Sequence, residues 1–216
     1  MAIKWIFFDV SSTLVDETKA YDHRARDMLW GTGISFEEFD RKRTELAKKG
    51  FDGNSEAINY FNLSKTPWHS EDETPYDDAL ETLTFLKTNG FHLGIIANQN
   101  PGTAQRMDAW GLLEYFDLIA ASAELGLAKP QREIFEKALE LAGCEAHESV
   151  MVGDRLDNDI TPAKKLGMKT VWIRMGLSRY QDISLGKNTA DWVIDCLSDL
   201  KRIFKCSGFG YQKTGL

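Results

Sequence analysis

Cysteine is scarce in this chain, and its number and spacing argue against a cysteine-based metal or redox site and against a disulfide-rich secreted domain. The three cysteines, Cys144, Cys196 and Cys206, are odd in number and show neither a metal-ligand spacing nor a redox spacing. Small secreted domains that depend on disulfides usually carry an even and larger set. We therefore expect reduced thiols without a special role.

Long hydrophobic runs are also missing. The apolar stretch near the N-terminus, from Ile3 to Phe8, is too short for a secretory signal and stops at Asp9. No later stretch is long enough to span a bilayer. These absences favour a soluble, cytoplasmic protein that has no membrane partner.

Basic residues do not outnumber acidic ones. The chain has 26 Lys and Arg against 33 Asp and Glu, and its formal net charge is −7. Nucleic acids and anionic membrane surfaces are held largely by Lys and Arg, so neither is expected to be the main partner. Acidic groups gathered at one place would instead favour a cation.

Asp9 directly follows a predicted buried strand. The preceding residues, Ile3 to Phe8, are rich in β-branched and aromatic side chains and contain no turn signal. In an open parallel sheet, ligands bind beyond the carboxyl ends of the strands, so Asp9 is a candidate for chemistry. The alternative is an aspartate that caps the next turn or helix.

The segment that follows, residues 16–76, shows helical patterns and no strand pattern. An all-helical insertion of this kind is either a lid over the site or a dimerisation element. We favour the lid, because its base follows Asp9 directly. The predicted helices run over 17–29, from a capping box at 35–38 to the lysines at 48–49, and over 54–61, and 62–75 is the predicted return connection.

From residue 77 onward, helix and strand patterns alternate. Repeated β-α units predict an α/β fold with a Rossmann-like parallel sheet and helices on both faces. The final residues, 207–216, are expected to form a frayed tail. The predicted strands are 91–97, 118–121, 149–152, 169–173 and 192–194, and the predicted helices are 77–89, one from 101, 131–142, 158–166 and 198–204.

A second acidic cluster repeats the pattern of the opening strand. The strand at 149–152 leads into Gly153 and Asp154, and Asp157 and Asp159 follow. Repulsion between these carboxylates is tolerable only if a cation lies among them or if they point apart. Hard oxygen ligands at a parallel-sheet edge suit Mg²⁺. For Asp157 we accept the alternative of a turn or helix cap.

Four short segments together resemble the four motifs of the haloacid dehalogenase superfamily, in order and in spacing. The resemblance covers the chain except for the insertion and the tail. It implies a core of residues 1–15 and 77–206, a helical cap of 16–76 and a tail of 207–216. The segments are Asp9-Val10-Ser11-Ser12-Thr13-Leu14, Ile95-Ile96-Ala97-Asn98, Lys129-Pro130, and Gly153-Asp154 with Asp159.

This resemblance implies specific roles for the residues that match. Asp9 would be the nucleophile of a covalent aspartyl intermediate, and Thr13 would orient it. Lys129 would neutralise the nucleophile and the transferring group. The resemblance places Mg²⁺ on Asp9, the main-chain carbonyl of Ser11 and Asp154, with Asp159 in support.

The sequence departs from the phosphatases of that superfamily at two positions. Ser11 stands where they carry a second aspartate, the general acid and base, whose contribution is typically about 10²- to 10⁴-fold. Ala97 stands where a Ser or Thr hydroxyl usually meets the phosphate, and Asn98 is the nearest replacement. Ser12, with Ser11 and Lys129, completes the candidate phosphate-binding set.

We therefore expect a slow, Mg²⁺-dependent phosphatase that acts on a small phosphorylated molecule, as a monomer or a homodimer. One alternative is a 2-haloacid dehalogenase or a C–P bond hydrolase, branches that also lack the second aspartate. Another is a catalytically weak member that binds a phosphorylated ligand or a protein. The histidines receive no role, because no acid or cysteine lies near them at a useful spacing; they are His23, His69, His92 and His147.

Overall fold

The computed structural model describes residues 2–205, and its centre is a parallel sheet of six strands. The predicted tail, 207–216, and Cys206 lie outside the described residues. No helix within residues 2–205 is long and apolar enough to cross a membrane. The strands are β1 (Trp5–Phe8), β2 (Val15–Asp16), β3 (Thr74–Pro75), β4 (His92–Ala97), β5 (Leu118–Ala121), β6 (Ser149–Gly153), β7 (Lys169–Ile173) and β8 (Trp192–Ile194).

Helices connect these strands and cover the sheet. The predicted alternation of helix and strand is present, although two short helices, Ser122–Leu125 and Ile183–Thr189, are not predicted by the sequence. The helices are α1 (Thr18–Leu29), α2 (Phe36–Lys48), α3 (Gly53–Tyr60), α4 (Ala79–Thr88), α5 (Thr103–Ala109), α6 (Ser122–Leu125), α7 (Arg132–Ala142), α8 (Thr161–Leu166), α9 (Ile183–Thr189) and α10 (Leu200–Phe204).

The strand order determines where a site can form. The sheet runs β5-β4-β1-β6-β7-β8, and all its pairings are parallel. In chain order, β4 and β5 lie on one side of β1, and the later strands β6, β7 and β8 lie on the other side. The order therefore reverses at β1, where the carboxyl ends of β1 and β6 border a crevice suited to a ligand.

Both faces of the sheet are buried. Along β1, Ile6 and Phe8 belong to one apolar cluster, and Trp5 and Phe7 belong to another on the opposite face. Side chains alternate between the two faces of a strand, which explains why β1 is an unbroken apolar run. This arrangement confirms the predicted Rossmann-like α/β fold with helices on both faces.

The insertion, residues 16–76, contains α1, α2 and α3 with an apolar cluster of their own, including Met28, Phe39 and Ile58. The hydroxyl of Ser35 accepts a hydrogen bond from the Glu38 N–H at 3.1 Å, so α2 begins where the capping pattern predicts. An antiparallel pair, β2 with β3, closes the base of the insertion. The sequence does not predict this pair, because two-residue strands are too short to show periodicity.

Candidate active site

Asp9 and Asp154 occupy equivalent positions on neighbouring strands. Asp9 is the first residue after β1, and Asp154 is the first after β6. Phe8 pairs with Val152, and the Asp9 N–H donates to the Val152 carbonyl at 2.9 Å. The two aspartates therefore lie next to each other at the carboxyl ends of β1 and β6.

Three carboxylates meet at this edge of the sheet. Asp9, Asp154 and Asp159 each offer an oxygen atom, and these oxygens lie within 4.8 Å of one another. Asp159 is fully buried, and Asp9 and Asp154 are less than one tenth exposed. Asp9 and Asp154, which are far apart in the chain, therefore lie close together in the fold, as the sequence predicts.

Lys129 joins two of these carboxylates. Its Nζ lies 2.7 Å from Asp9 Oδ1 and 2.6 Å from Asp159 Oδ1, and its side chain is 1% exposed. Burial opposes the lysine charge, but the carboxylates of Asp159 and Asp9 outweigh that effect and hold the Lys129 pKa above its ordinary value. The ammonium is therefore charged and fixed against the predicted nucleophile.

The single positive charge of Lys129 does not balance the negative charge of all three carboxylates when they are ionised. Burial, followed by the repulsion of Asp159 and Asp9, raises the pKa of Asp154 well above its ordinary value. Burial also raises the pKa of Asp159, to about 6, although Lys129 opposes this shift. Both shifts mark a place where carboxylates are withdrawn from water and repel one another.

The loop after β6 depends on a glycine. A Cβ on Gly153 would lie 2.5 Å from the carboxyl group of Asp159, so only glycine permits Asp159 to approach. Asp159 Oδ2 accepts from the Arg155 N–H at 3.0 Å, and Trp172 Nε1 donates to the Asp154 carbonyl at 2.7 Å. These contacts fix both aspartates.

Asn98 holds the backbone of Lys129 in place. Its Nδ2 donates to the Lys129 carbonyl at 2.8 Å, and its Oδ1 accepts from the Lys129 N–H at 2.7 Å. The amide has a second N–H, and Asn98 lines the cavity beside Asp9. The predicted contact between Asn98 and a phosphate therefore stays a prediction.

The other predicted residues of this region differ in their placement. Ser11 and Ser12 line the cavity beside Asp9. Ala97 is fully buried at the end of β4 and is not among the residues that line this cavity. The Thr13 hydroxyl is buried and has no hydrogen-bond partner among residues 2–205, so it donates no hydrogen bond to Asp9.

Sequence reasoning missed two polar neighbours of Ser11. Gln99 Nε2 donates to Ser11 Oγ at 2.9 Å, and the buried Glu17 lines the same cavity as Ser11. Burial raises the Glu17 pKa to about 8, with smaller contributions from nearby carboxylates. The only signal in the sequence was the position of Glu17 shortly after the Asp9 motif, where it also fits a helix start.

A cavity of about 230 Å³ lies above the cluster, between the sheet edge and the insertion. Its floor includes Asp9, Lys129 and Asp154, and residues 50–54 of the insertion form part of its wall. A second, larger cavity adjoins it and shares Ser11 in its lining. A small molecule at the strand tips would therefore contact both the sheet and the insertion.

Comparisons with known proteins agree with this geometry. The family model of a haloacid dehalogenase-like hydrolase matches residues 3–167. A glyceraldehyde 3-phosphate phosphatase of Methanocaldococcus jannaschii is 31% identical, over 94% of this chain and 97% of that protein. A pyrophosphatase PpaX of Bacillus velezensis is 29% identical, over 92% of this chain and 94% of that protein. The crystal structure of a HAD phosphatase from Thermococcus onnurineus, 28% identical, aligns with a TM-score of 0.64 over 93% of this chain and 97% of that one.

Proposed function

Because this chain belongs to the family of haloacid dehalogenase-like hydrolases, we propose that it is a Mg²⁺-dependent phosphatase that forms an aspartyl-phosphate on Asp9. One observation carries the proposal: the Asp9 carboxylate stands on the cavity floor, 2.7 Å from a buried, charged Lys129. A carboxylate is a recognised covalent nucleophile for phosphoryl groups.

The reaction proceeds in two displacements. In the first, an Asp9 oxygen forms a bond to phosphorus while the bond from phosphorus to the leaving oxygen breaks. The Lys129 ammonium stabilises the negative charge of the transferring group. In the second, water attacks phosphorus and gives up a proton to solvent while the bond between phosphorus and the Asp9 oxygen breaks, so inorganic phosphate leaves and the Asp9 carboxylate is regenerated. Ser11 cannot protonate the leaving oxygen as a carboxylic acid would, so substrates with good leaving groups react faster.

The acidic cluster fits a divalent cation. With every group ionised, three carboxylates and one ammonium carry a net charge of −2. The pKa of Asp154 is raised by burial first and then by the repulsion of Asp159 and Asp9, and a bound cation would relieve that repulsion. Asp9, Asp154 and the main-chain carbonyl of Ser11 would hold Mg²⁺, with Asp159 in support. When bound, Mg²⁺ neutralises charge on the phosphoryl oxygens.

The acidic cluster also favours phosphate chemistry over halide displacement. A cation has no use in the displacement of a halide by an aspartate, whereas phosphoryl transfer relies on one. Three buried carboxylates around a single lysine would be a costly arrangement for an enzyme without a cation.

Residues 16–76 act as a cap, and residues 1–15 with 77–206 act as the core, in this proposal. Two observations support this division: residues 50–54 share a cavity with Asp9, and the β2–β3 pair is the base of the insertion. Contacts from this segment to the substrate would supply specificity.

The substrate is proposed to be a small phosphomonoester, of about the size of a triose phosphate. The cavity volume of about 230 Å³ suits a molecule of this size. The relative from M. jannaschii is named a glyceraldehyde 3-phosphate phosphatase, and it matches this chain over nearly its whole length.

Trapping the phosphorylated enzyme tests the mechanism. With Mg²⁺ and an aryl phosphate, rapid quenching and mass spectrometry should detect one phosphoryl group on a peptide that contains Asp9. Asp9→Asn should abolish both turnover and the adduct, and chelation of Mg²⁺ should abolish turnover. Asp108→Asn, an exposed change on α5, is the control and should leave both intact. Turnover retained by Asp9→Asn would contradict the mechanism.

A further inference from the structure

A second cluster of metal-ligating side chains lies within the insertion. Its members belong to α1 and to a 3₁₀ turn, Ser70–Asp72, with the residue directly before that turn, and they are not among the residues that line the two cavities. We propose that this cluster binds one divalent transition-metal ion of the Zn²⁺ class. The proposed ligands are His23, His69, Glu71 and Asp72, each with one ligand atom within 4.8 Å of the others.

The two imidazoles face carboxylates through ring nitrogens. His23 Nδ1 lies 2.8 Å from Asp72 Oδ2, and His69 Nδ1 lies 3.0 Å from Glu71 Oε1. The two rings stack, with centroids 3.5 Å apart and planes inclined by 10°. Because a ring nitrogen binds a metal in the plane of its ring, one imidazole has to turn out of the stack before both can bind the same ion. Two ring nitrogens and two carboxylate oxygens are then available to one ion, and this mixed donor set suits Zn²⁺.

Asp27 lies where an outer-shell partner of a metal-bound histidine would lie. Its Oδ2 lies 2.7 Å from Nε2 of His69, the ring nitrogen that faces away from Glu71. Both ring nitrogens of His69 thus face a carboxylate, so an ion would take the place of the proton at Nδ1, while Asp27 keeps the proton at Nε2. Asp27 lies four residues after His23 on α1, so one helix face presents both a ligand and this outer-shell partner.

The dimensions of the cluster suit an ion of this size. Tetrahedral bonds of about 2.0–2.2 Å place ligand atoms about 3.3–3.5 Å apart. The two hydrogen-bonded pairs are already closer than this, and the other ligand atoms, within 4.8 Å, would move inward by about an ångström on binding. His69 is 17% exposed and His23 is 48% exposed, so an ion can enter from solvent.

The bound ion would join two distant segments of the insertion. His23 and Asp72 are 49 positions apart, and Asp27 and His69 are 42 positions apart. An ion held by both segments would fasten α1 to the end of the return connection. Binding should therefore stabilise the folded chain.

This site is distinct in chemistry from the acidic cluster at the strand tips. The strand-tip cluster offers carboxylate oxygens and a lysine, which favour Mg²⁺, whereas the cluster in the insertion offers two imidazoles, which favour Zn²⁺. An Asp154→Asn background weakens the first site and leaves the second intact, so the two can be measured apart.

Calorimetric titration of Zn²⁺ into the full chain, in the Asp154→Asn background and with excess Mg²⁺, tests the proposal. We expect one Zn²⁺ per chain and a rise in the melting temperature with Zn²⁺. His69→Gln and His23→Gln should each weaken Zn²⁺ binding by more than about 100-fold, and Asp27→Asn by about 10- to 100-fold. His147→Gln, an exposed histidine elsewhere, is the matched control and should bind Zn²⁺ as before.

Two results would overturn the proposal: the absence of Zn²⁺ binding in the Asp154→Asn background, or equal affinity in the His69→Gln, His23→Gln and His147→Gln variants. Each variant is first compared by circular dichroism and melting temperature in a chelator. If a histidine variant does not fold, Asp72→Asn removes a ligand with little change of shape and should show the same loss of binding.

Discussion

Arg155 Nη1 lies 2.7 Å from Asp52 Oδ2, so an ion pair joins the loop after Asp154 to the start of α3. Arg155 also binds Asp157 of its own loop, at 2.7 Å. The first contact links the core to the insertion across the cavity, and the second does not.

Asp52→Asn should therefore weaken the contact between the insertion and the loop after Asp154. The substitution keeps a side-chain acceptor for the Ser55 N–H and removes the charge. Because the pair is partly exposed, we expect a loss of at most about 1 kcal/mol, seen as a rise in KM of up to about fivefold with little change in kcat. Asp157→Asn is the matched control, and an equal rise in KM there would contradict the cap–core role of Asp52.

Lys129→Met should remove the positive charge that faces the nucleophile. We expect kcat to fall by about 10²-fold or more. The chelated protein should also lose about 3–5 kcal/mol of unfolding free energy, since Asp9 and Asp159 would remain buried without a partner. Mg²⁺ should restore part of that stability. Steady-state kinetics and urea unfolding with and without Mg²⁺ measure both effects, and unchanged stability in chelator would argue against a charged Lys129.

Ser11→Asp should raise activity toward alkyl phosphates, because it places a carboxyl group at the position of the absent general acid and base. We expect a gain of about tenfold or more, within the range typical of proton transfer by a positioned side chain. The wild-type preference for aryl over alkyl phosphates should shrink accordingly. Ser11→Asn, of similar size but unable to transfer a proton, should show no gain. A fall in activity with Ser11→Asp would mean that the serine itself has a positive role.

Glu17→Gln should change how stability depends on pH. The Glu17 carboxyl has an ordinary pKa of 4.5 and a folded pKa of about 8, so between these values the folded chain holds a proton that the unfolded chain has lost. The stability contributed by this proton therefore falls as the pH rises from about 5 to 8, by the order of a few kcal/mol. Urea unfolding in a chelator at both pH values should show a smaller decline for Glu17→Gln. Equal declines would contradict a buried, protonated Glu17.

The positions of Asp9 and Asp154 could be predicted from the sequence because they depend on one rule of parallel sheets. Each follows a short apolar run, and the carboxyl ends of parallel strands lie along one edge. The alternation of helices and strands predicts that both belong to one parallel sheet, and the resemblance to the four haloacid dehalogenase motifs implies that the two aspartates share a site. Signals of this kind can be read from the sequence without any knowledge of side-chain geometry.

The roles of Asn98 and Glu17 could not be predicted in the same way. The Asn98 amide pairs with the backbone of Lys129, 31 positions away, and no periodic pattern records such a contact. Glu17 owes its raised pKa to burial, which arises only when the insertion folds over the sheet edge. The contacts of His23 with Asp72 and of His69 with Asp27 were likewise hidden, because the two partners come from opposite ends of the insertion.

The meeting of β2 and β3 has an evolutionary consequence. Val15 pairs with Pro75 and Asp16 with Thr74, so the chain departs from the sheet and returns to it at one point. A segment of another length or shape could be spliced between these two strands without moving Asp9 or Lys129. Substrate preference could thus diverge by exchange of this module while the reacting groups are inherited unchanged.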